Sequence, residues 1–373
     1  MNMRRQRLVE WIATPAAAVP KDTDYISEMR VYPVREPASG RSYTVVQLRT
    51  QSALVGWGEA RQVNAAQVEK AKSLIIGKPA TSFAVSSTDT PLDAAITCAM
   101  LDITGKATSA PIYRVLGGPT RYKARAMAAL WGTTDSELAT SMNALARQGF
   151  QAFEVPIPSF NWRNQGEAFD KAALARMEGL RSAAPQNANF VLGSNSALTP
   201  SDAGAVASTL ERFHLLWFDE PCPITNLRTI KKISDETVTP LGFGREIKNA
   251  SIYQDLLREG LVDVLRPSIQ GDGIQKIRQV AALAETYYVA VAPNHDGGPI
   301  GTAAALQLAA SLPNFFIQTV PVPADERDRK MRTELVPEPI ETVNDGYFAL
   351  PNKPGLGITV NEAALEKYKE TAA

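Results

Sequence analysis

Residues 215–246 read LLWFDEPCPITNLRTIKKISDETVTPLGFGRE, two short apolar runs that each end in charge. LLWF runs into Asp219 and Glu220, and PLGF runs into Arg245 and Glu246. Between them, Asn226–Ser234 has a helix-compatible composition, so the stretch is one strand, helix, strand unit. Ionisable groups at the carboxyl ends of both strands lie where a parallel β/α barrel carries its chemistry.

The same rhythm extends outward from this unit. AMAALW, FQAFEV, NFVL, LLWF, PLGF, VDVL, YVAVA and FFIQ are eight candidate strands after Tyr122. Seven helical segments separate them, over 136–147, 167–182, 201–213, 226–234, 250–259, 274–284 and 300–309. Crossovers of this length are right-handed and parallel, so the expected fold is α/β, a modified (β/α)7β TIM-like barrel. Upstream, 25–35, 43–50 and LVGWGEA alternate as three strands, EPASGR between the first two carries turn chemistry, and helices are expected over 65–74 and 92–108. Strands first and helices after make an N-terminal α+β capping domain. The expected organisation is a flexible extension 1–23, a capping domain 24–122, the barrel 123–345, and a segment 346–373 returning to the cap.

The 39 basic residues balance 39 acidic ones, so nothing points to nucleic acid, although one buried arginine can still select a small anion. Cys98 and Cys222 form no disulfide or metal-ligand spacing and are expected as free buried thiols. No window reaches the roughly 18 continuous apolar residues of a membrane span. Arg4 and Arg5 precede a short apolar run broken by Glu10, a weak likeness to an export signal; a cytoplasmic location is the expectation and export the minority reading.

Taking the residue that follows each apolar run as facing the barrel mouth gives Trp131, Glu154 with Pro156, Gly193 with Asn195, Asp219, Arg245, Ser268, His295 and Gln318. His295, in PNHDGG, is a candidate base near neutral pH; the plainer reading is a histidine bonded within its own loop. His214, at the other end of the barrel, is expected to be structural, and the run DERDRKMR at 325–332 to be a solvated face.

Four segments carry a resemblance: AMLDITGKATSAPIYRVLGG, LLWFDEPCP, NHDGGPIGTAAALQLAASLPN and PGLGITVNEAALEKY. In this order they resemble the enolase superfamily, in its mandelate racemase and muconate lactonizing enzyme branch. The resemblance implies a barrel with a capping domain, and Mg²⁺ that binds a substrate carboxylate while a barrel base removes the α-proton. It also implies a metal held by carboxylates ending the third, fourth and fifth strands, lysines ending the second, a symmetric homo-oligomer, and a cap lid near EPASGR from which Arg41 could reach an anionic ligand.

This chain departs from that pattern at most positions. Glu154 and Pro156 stand for the lysines, and Gly193 for the third-strand aspartate, with Asn195 matching the asparagine that follows. Asp219 matches the fourth-strand ligand, Arg245 replaces the fifth-strand glutamate, Ser268 or a neighbour stands at the sixth strand, and Gln318 replaces the eighth-strand glutamate. One aspartate beside a guanidinium does not suit Mg²⁺, so the expectation is no cofactor, with Arg245 bonded to Asp219 and Glu154. The alternative is a shifted Mg²⁺ site of Glu154, Asp219 and Glu246 with Arg245 turned outward. Three functional readings follow. The preferred one is a divergent member that binds a small carboxylate or is a pseudoenzyme. Next is a Mg²⁺-dependent racemase, cycloisomerase or sugar-acid dehydratase. The third is a metal-free isomerase or lyase with His295 as base and Arg245 as electrostatic stabiliser.

Overall fold

The computed structural model describes residues 23–83, 90–159, 167–247 and 249–370. The N-terminal extension and its twin arginine lie outside the described residues, apart from residue 23. Strands Ile26–Arg35, Ser42–Thr50 and Val55–Ala60 form an antiparallel sheet, and helix Asp93–Ala107 packs on it. Glycine on the third strand permits that packing: a Cβ at Gly56 or Gly58 would lie 2.1 Å from Ala99 O or 2.0 Å from Ala95 O. Without a Cβ at either glycine, the helix backbone at Ala95 and Ala99 comes directly against the strand.

All eight expected barrel strands are present: Lys123–Ala129, Ala152–Pro156, Asn189–Gly193, Phe218–Asp219, Leu241–Phe243, Val264–Leu265, Ala290–Val291 and Gln318–Thr319. They pair in parallel in chain order, and the eighth returns to the first, with Gln318 opposite Ala126 and Thr319 opposite Met127. A bridge between Val291 and Phe315 closes the ring between the seventh and eighth. The seven intervening helices also form, the sixth as Ile269–Glu285 with a break at Gly273. Met127, Ala152, Val191, Trp217, Val264, Ala292 and Ile317 pack as one cluster, one residue in or directly beside each strand but the fifth. This is the inner layer of the barrel, and it fixes which residues two positions further on face the mouth.

Two features were not expected. Hairpin Val343–Asn344/Tyr347–Ala349 extends the sheet antiparallel to the start of the first barrel strand. After the eighth strand comes a helix, Glu326–Leu335, and the solvated-face expectation holds for only part of it: Glu326, Arg327, Arg329 and Lys330 are exposed, whereas Asp328 and Arg332 are buried. Asp328 accepts the N–H groups of Ala38 and Ser39 at 2.7 and 2.8 Å, and Arg332 bonds Glu36 at 2.6 Å. The chain end does reach the cap. Glu370 N–H donates to Pro33 O at 2.8 Å, and buried Asp102 accepts the N–H groups of Trp57 and Leu356 at 3.0 and 2.8 Å. Among the described residues no helix is long and apolar enough to cross a membrane.

Candidate functional site

Adding two to each inner-layer position names the floor of the barrel mouth: Ala129, Glu154, Gly193, Asp219, Arg266, Asn294 and Thr319. Arg245 joins them by a break in alternation. Its strand ends at Phe243, the Gly244 that follows has φ 148°, and a Cβ there would lie 2.7 Å from Arg266 N. Glu220, itself at φ 46°, accepts the N–H groups of Gly244 and Arg245 at 2.6 and 2.8 Å and braces this turn. Burial raises the pKa of Glu220, and the neighbouring charge of Asp219 adds to the rise.

The turned-in guanidinium joins two carboxylates. Arg245 Nη2 donates to Glu154 Oε1 at 2.7 Å and is ion-paired with Asp219. Its Nη1 reaches Asn195 Oδ1 at 3.4 Å. Asp219 is 1% exposed at the side chain and also accepts from Trp217 Nε1 at 2.7 Å and Arg266 Nε at 2.8 Å. Arg266, fully buried, donates further to Ala292 O at 2.6 Å, lies 3.8 Å from Glu154, and stacks 5.1 Å from the Trp217 ring. Burial pushes the pKa of Arg245 down, but Glu154 and Asp219 outweigh it and hold the guanidinium more firmly charged than usual. In Arg266 burial prevails over Asp219, with Arg245 adding to it, and the pKa falls. The expectation that Arg245 bonds Asp219 and Glu154 therefore describes the geometry; that a second arginine stands beside it was missed.

Four sequence-derived candidates are not bonded into this cluster, although Glu246 lines the cleft above it. His295 does not face this cluster. Its Nε2 donates to Gly298 O at 3.0 Å and contacts Thr302 Oγ1 at 3.1 Å, in a buried seam with Glu59 of the cap. Glu59 accepts the N–H groups of Gly298 and Gly301 at 2.7 and 3.0 Å, at the start of helix Pro299–Ala309. Burial, and then the charge of Arg332, push His295 down to about 4, so near neutral pH it is an uncharged hydrogen-bonding group in its loop. Gln318 also points away from the mouth: its amide donates to Pro293 O and Thr319 O at 3.0 and 2.8 Å. Arg41 pairs with Glu36 at 2.8 Å. Glu246 is 69% exposed and pairs with Arg61 at 3.0 Å, so the shifted metal site with Arg245 outward is not what the chain adopts.

Ser268 does line the opening, but its hydroxyl caps the helix behind it, accepting Gly271 N–H at 3.1 Å. Above the cluster, a cleft of about 370 Å³ separates cap from barrel. Arg61 and Gln62 line it from the cap, and Arg245, Ser268, Asp272 and Lys276 from the barrel. The volume falls within the roughly 300–1,000 Å³ of small-molecule sites.

Residues at these strand ends do not fit a magnesium ion. An octahedral Mg²⁺ wants several free oxygen donors. Here Asp219 and Glu154 are spent on guanidinium groups, Gly193 has no donor, and two arginines occupy the fifth and sixth positions. Among the described residues no group of three His, Cys, Asp or Glu side chains could hold a metal. The stretch FNWRNQG at 160–166, outside the described residues, contains no acid in its sequence.

A capped parallel barrel with its polar groups gathered at the carboxyl ends of the strands defines a class of α/β proteins. The family model for Enolase C-terminal domain-like proteins matches residues 137–364, and the chain belongs to that family. The resemblance drawn from the sequence is thereby confirmed at the level of the superfamily and its mandelate racemase/muconate lactonizing branch. Among solved structures, mandelate racemase/muconate lactonizing enzyme from Sulfitobacter sp. superposes with TM-score 0.83 at 23% identity, covering 94% of this chain and 96% of that one. Curated relatives include D-galactonate dehydratase of Ralstonia pickettii, 28% identical over 74% of this chain and 73% of its own length. D-xylonate dehydratase of Haloferax volcanii is 25% identical over 87% of this chain and 85% of its own.

Proposed function

We propose that the chain binds a small polyhydroxylated carboxylate, of the sugar-acid class, in the cleft between cap and barrel. One observation carries this reading: Arg61 and Lys276 line a cleft of ligand size beside Arg245, and Arg61 is held there by the exposed carboxylate of Glu246, a weak pair that a ligand carboxylate can replace. Neutral donors on Ser268 and Gln270 suit the ligand's hydroxyls. Names of the relatives support the ligand class, since galactonate and xylonate are sugar acids. Calorimetric titration of a sugar-acid panel, D-galactonate and D-xylonate among them, tests it. Saturable heat that weakens in Arg61→Ala is expected, and a panel without any binding would end this reading.

A second reading rests on the same relatives: a lyase that removes water from the sugar acid, taking the α-proton and releasing the β-hydroxyl to leave a 2-keto-3-deoxy acid. It needs a base. His295 is committed to its loop, and Glu154 to Arg245, which leaves Asp272 as the half-buried carboxylate lining the cleft. It accepts Ser268 N–H at 2.8 Å, and burial raises its pKa. Proton NMR of each acid incubated with the protein in D₂O separates the readings: exchange at the α-carbon or a new keto-acid product means a lyase, and an unchanged spectrum with binding means a carboxylate-binding protein.

A further inference from the structure

We propose that Arg245 and Arg266 together replace the divalent cation of this fold, so that the barrel mouth holds its ligand without metal and one substitution at Arg245 does not restore a metal site. The proposal rests on the ligand reading above only for what occupies the cleft. Its own basis is the chemistry of three coupled positions.

Position 193 is closed first. A Cβ at Gly193 would lie 2.7 Å from Glu154 Oε1, the oxygen that Arg245 holds, so no carboxylate can be added at the third strand while Glu154 and Arg245 stay paired. Next come the donors themselves. Asp219 Oδ1 already accepts from Trp217 and Arg266, and its Oδ2 faces Arg245. The third obstacle is Arg266, which cannot turn out as an exposed arginine could. It is fully buried and held by Asp219, the Ala292 carbonyl and Thr319 Oγ1, with the Trp217 ring against its plane. A divalent ion beside either guanidinium meets like-charge repulsion that this buried site screens far less than water does. Removing Arg245 therefore leaves one such charge in place, 2.8 Å from the aspartate a metal would need. Two guanidinium groups against two carboxylates already balance the site, which is the charge role a cation would otherwise fill.

The test uses Mn²⁺ and Mg²⁺ as probes on the full chain. Calorimetry and thermal unfolding are run with chelator-stripped wild type, Arg245→Glu and Asp219→Asn. Expected is no saturable Mn²⁺ heat below millimolar concentration, and a melting temperature unmoved by metal or chelator, in both wild type and Arg245→Glu. Micromolar Mn²⁺ binding to wild type that Asp219→Asn abolishes would overturn the replacement. Micromolar binding gained by Arg245→Glu would overturn the role given to Arg266. Should Arg245→Glu not fold, the wild-type titrations still decide the replacement, and Arg266→Lys, which keeps the charge, should leave Mn²⁺ unbound. D-galactonate titrated in chelator separates this from the ligand reading: binding that requires Mg²⁺ defeats the replacement alone, and no binding with or without metal defeats the ligand reading alone.

Discussion

Arg245→Met is the sharpest perturbation of the barrel mouth. It deletes one of two cations and leaves Glu154 and Asp219 facing Arg266 alone. Arg266 bonds Asp219 at 2.8 Å but lies 3.8 Å from Glu154, so Glu154 is the stranded charge, 10% exposed at its side chain. Breaking a buried pair by removing one partner costs about 3–5 kcal/mol. Arg245 is itself 17% exposed, and solvent screening brings the expectation to about 2–4 kcal/mol. Glu154→Gln removes the stranded charge, so in its background the same Arg245→Met change should cost about 2 kcal/mol less. Urea unfolding of wild type, both single variants and the double variant, followed by circular dichroism, measures all four corners. A cost below about 1 kcal/mol, or one that is unchanged in the Glu154→Gln background, would refute the claim that this guanidinium holds the two carboxylates in the barrel.

Three further outcomes are expected. Gly193→Ala should cost about 1–3 kcal/mol in the same melts, because Glu154 Oε1 is held by Arg245 and cannot move aside; truncating Glu154 to alanine should remove most of that cost. His295 stands at about 4 in the fold against an ordinary 6.5, so its contribution to stability is complete above 6.5 and is lost as pH falls through that value toward 4. Between pH 7 and 4.5 the loss is about 2 kcal/mol, and His295→Gln should flatten the acid limb of the stability curve by that amount. Asp102→Asn weakens the acceptor of Trp57 N–H, Leu356 N–H and Lys106 Nζ, and should cost about 2 kcal/mol and speed proteolysis of the C-terminal segment.

Strands and helices of the barrel were legible because each strand is a short apolar run bounded by polar helix, and a run survives errors of one residue. Site residues do not survive them. Ser268, which does line the opening, was named in place of Arg266, the residue directly after VDVL, and His295 and Gln318 were named where the inner layer puts Asn294 and Thr319. Strands buried on both faces show no alternation, so an apolar run alone carries no parity. Trp217 and Asp219, two apart and bonded to each other at 2.7 Å, carry the parity for the fourth strand. The same step from Val264 would have led to Arg266. Arg245 was correctly placed although it breaks parity, since Gly244 just before it can take the φ that turns it inward. Burial of Asp328 and Arg332 was not readable: DERDRKMR has the composition of a solvated helix, and the partners come from distant segments, the cap loop for both residues and Glu341 for Arg332.

That last contact decides which part of the cap can select a ligand. The loop at 36–41 is no free lid. Asp328 holds the N–H groups of Ala38 and Ser39, Arg332 holds Glu36, and Glu36 in turn holds Arg41 at 2.8 Å. Opening it would take both N–H donors from buried Asp328 and leave Arg332 paired with Glu341 but without Glu36. The cap reaches the cleft instead through Arg61, whose guanidinium pairs with exposed Glu246 at 3.0 Å and touches Ser268 Oγ at 3.5 Å. An exposed pair of this kind is worth little and can be exchanged for a ligand carboxylate. Arg61→Ala should therefore weaken D-galactonate about ten-fold, or 1.4 kcal/mol, while Arg41→Ala leaves its affinity unchanged. The reverse pattern, with Arg41 essential and Arg61 dispensable, would place the ligand under the 36–41 loop and require the Asp328 and Arg332 contacts to open on binding.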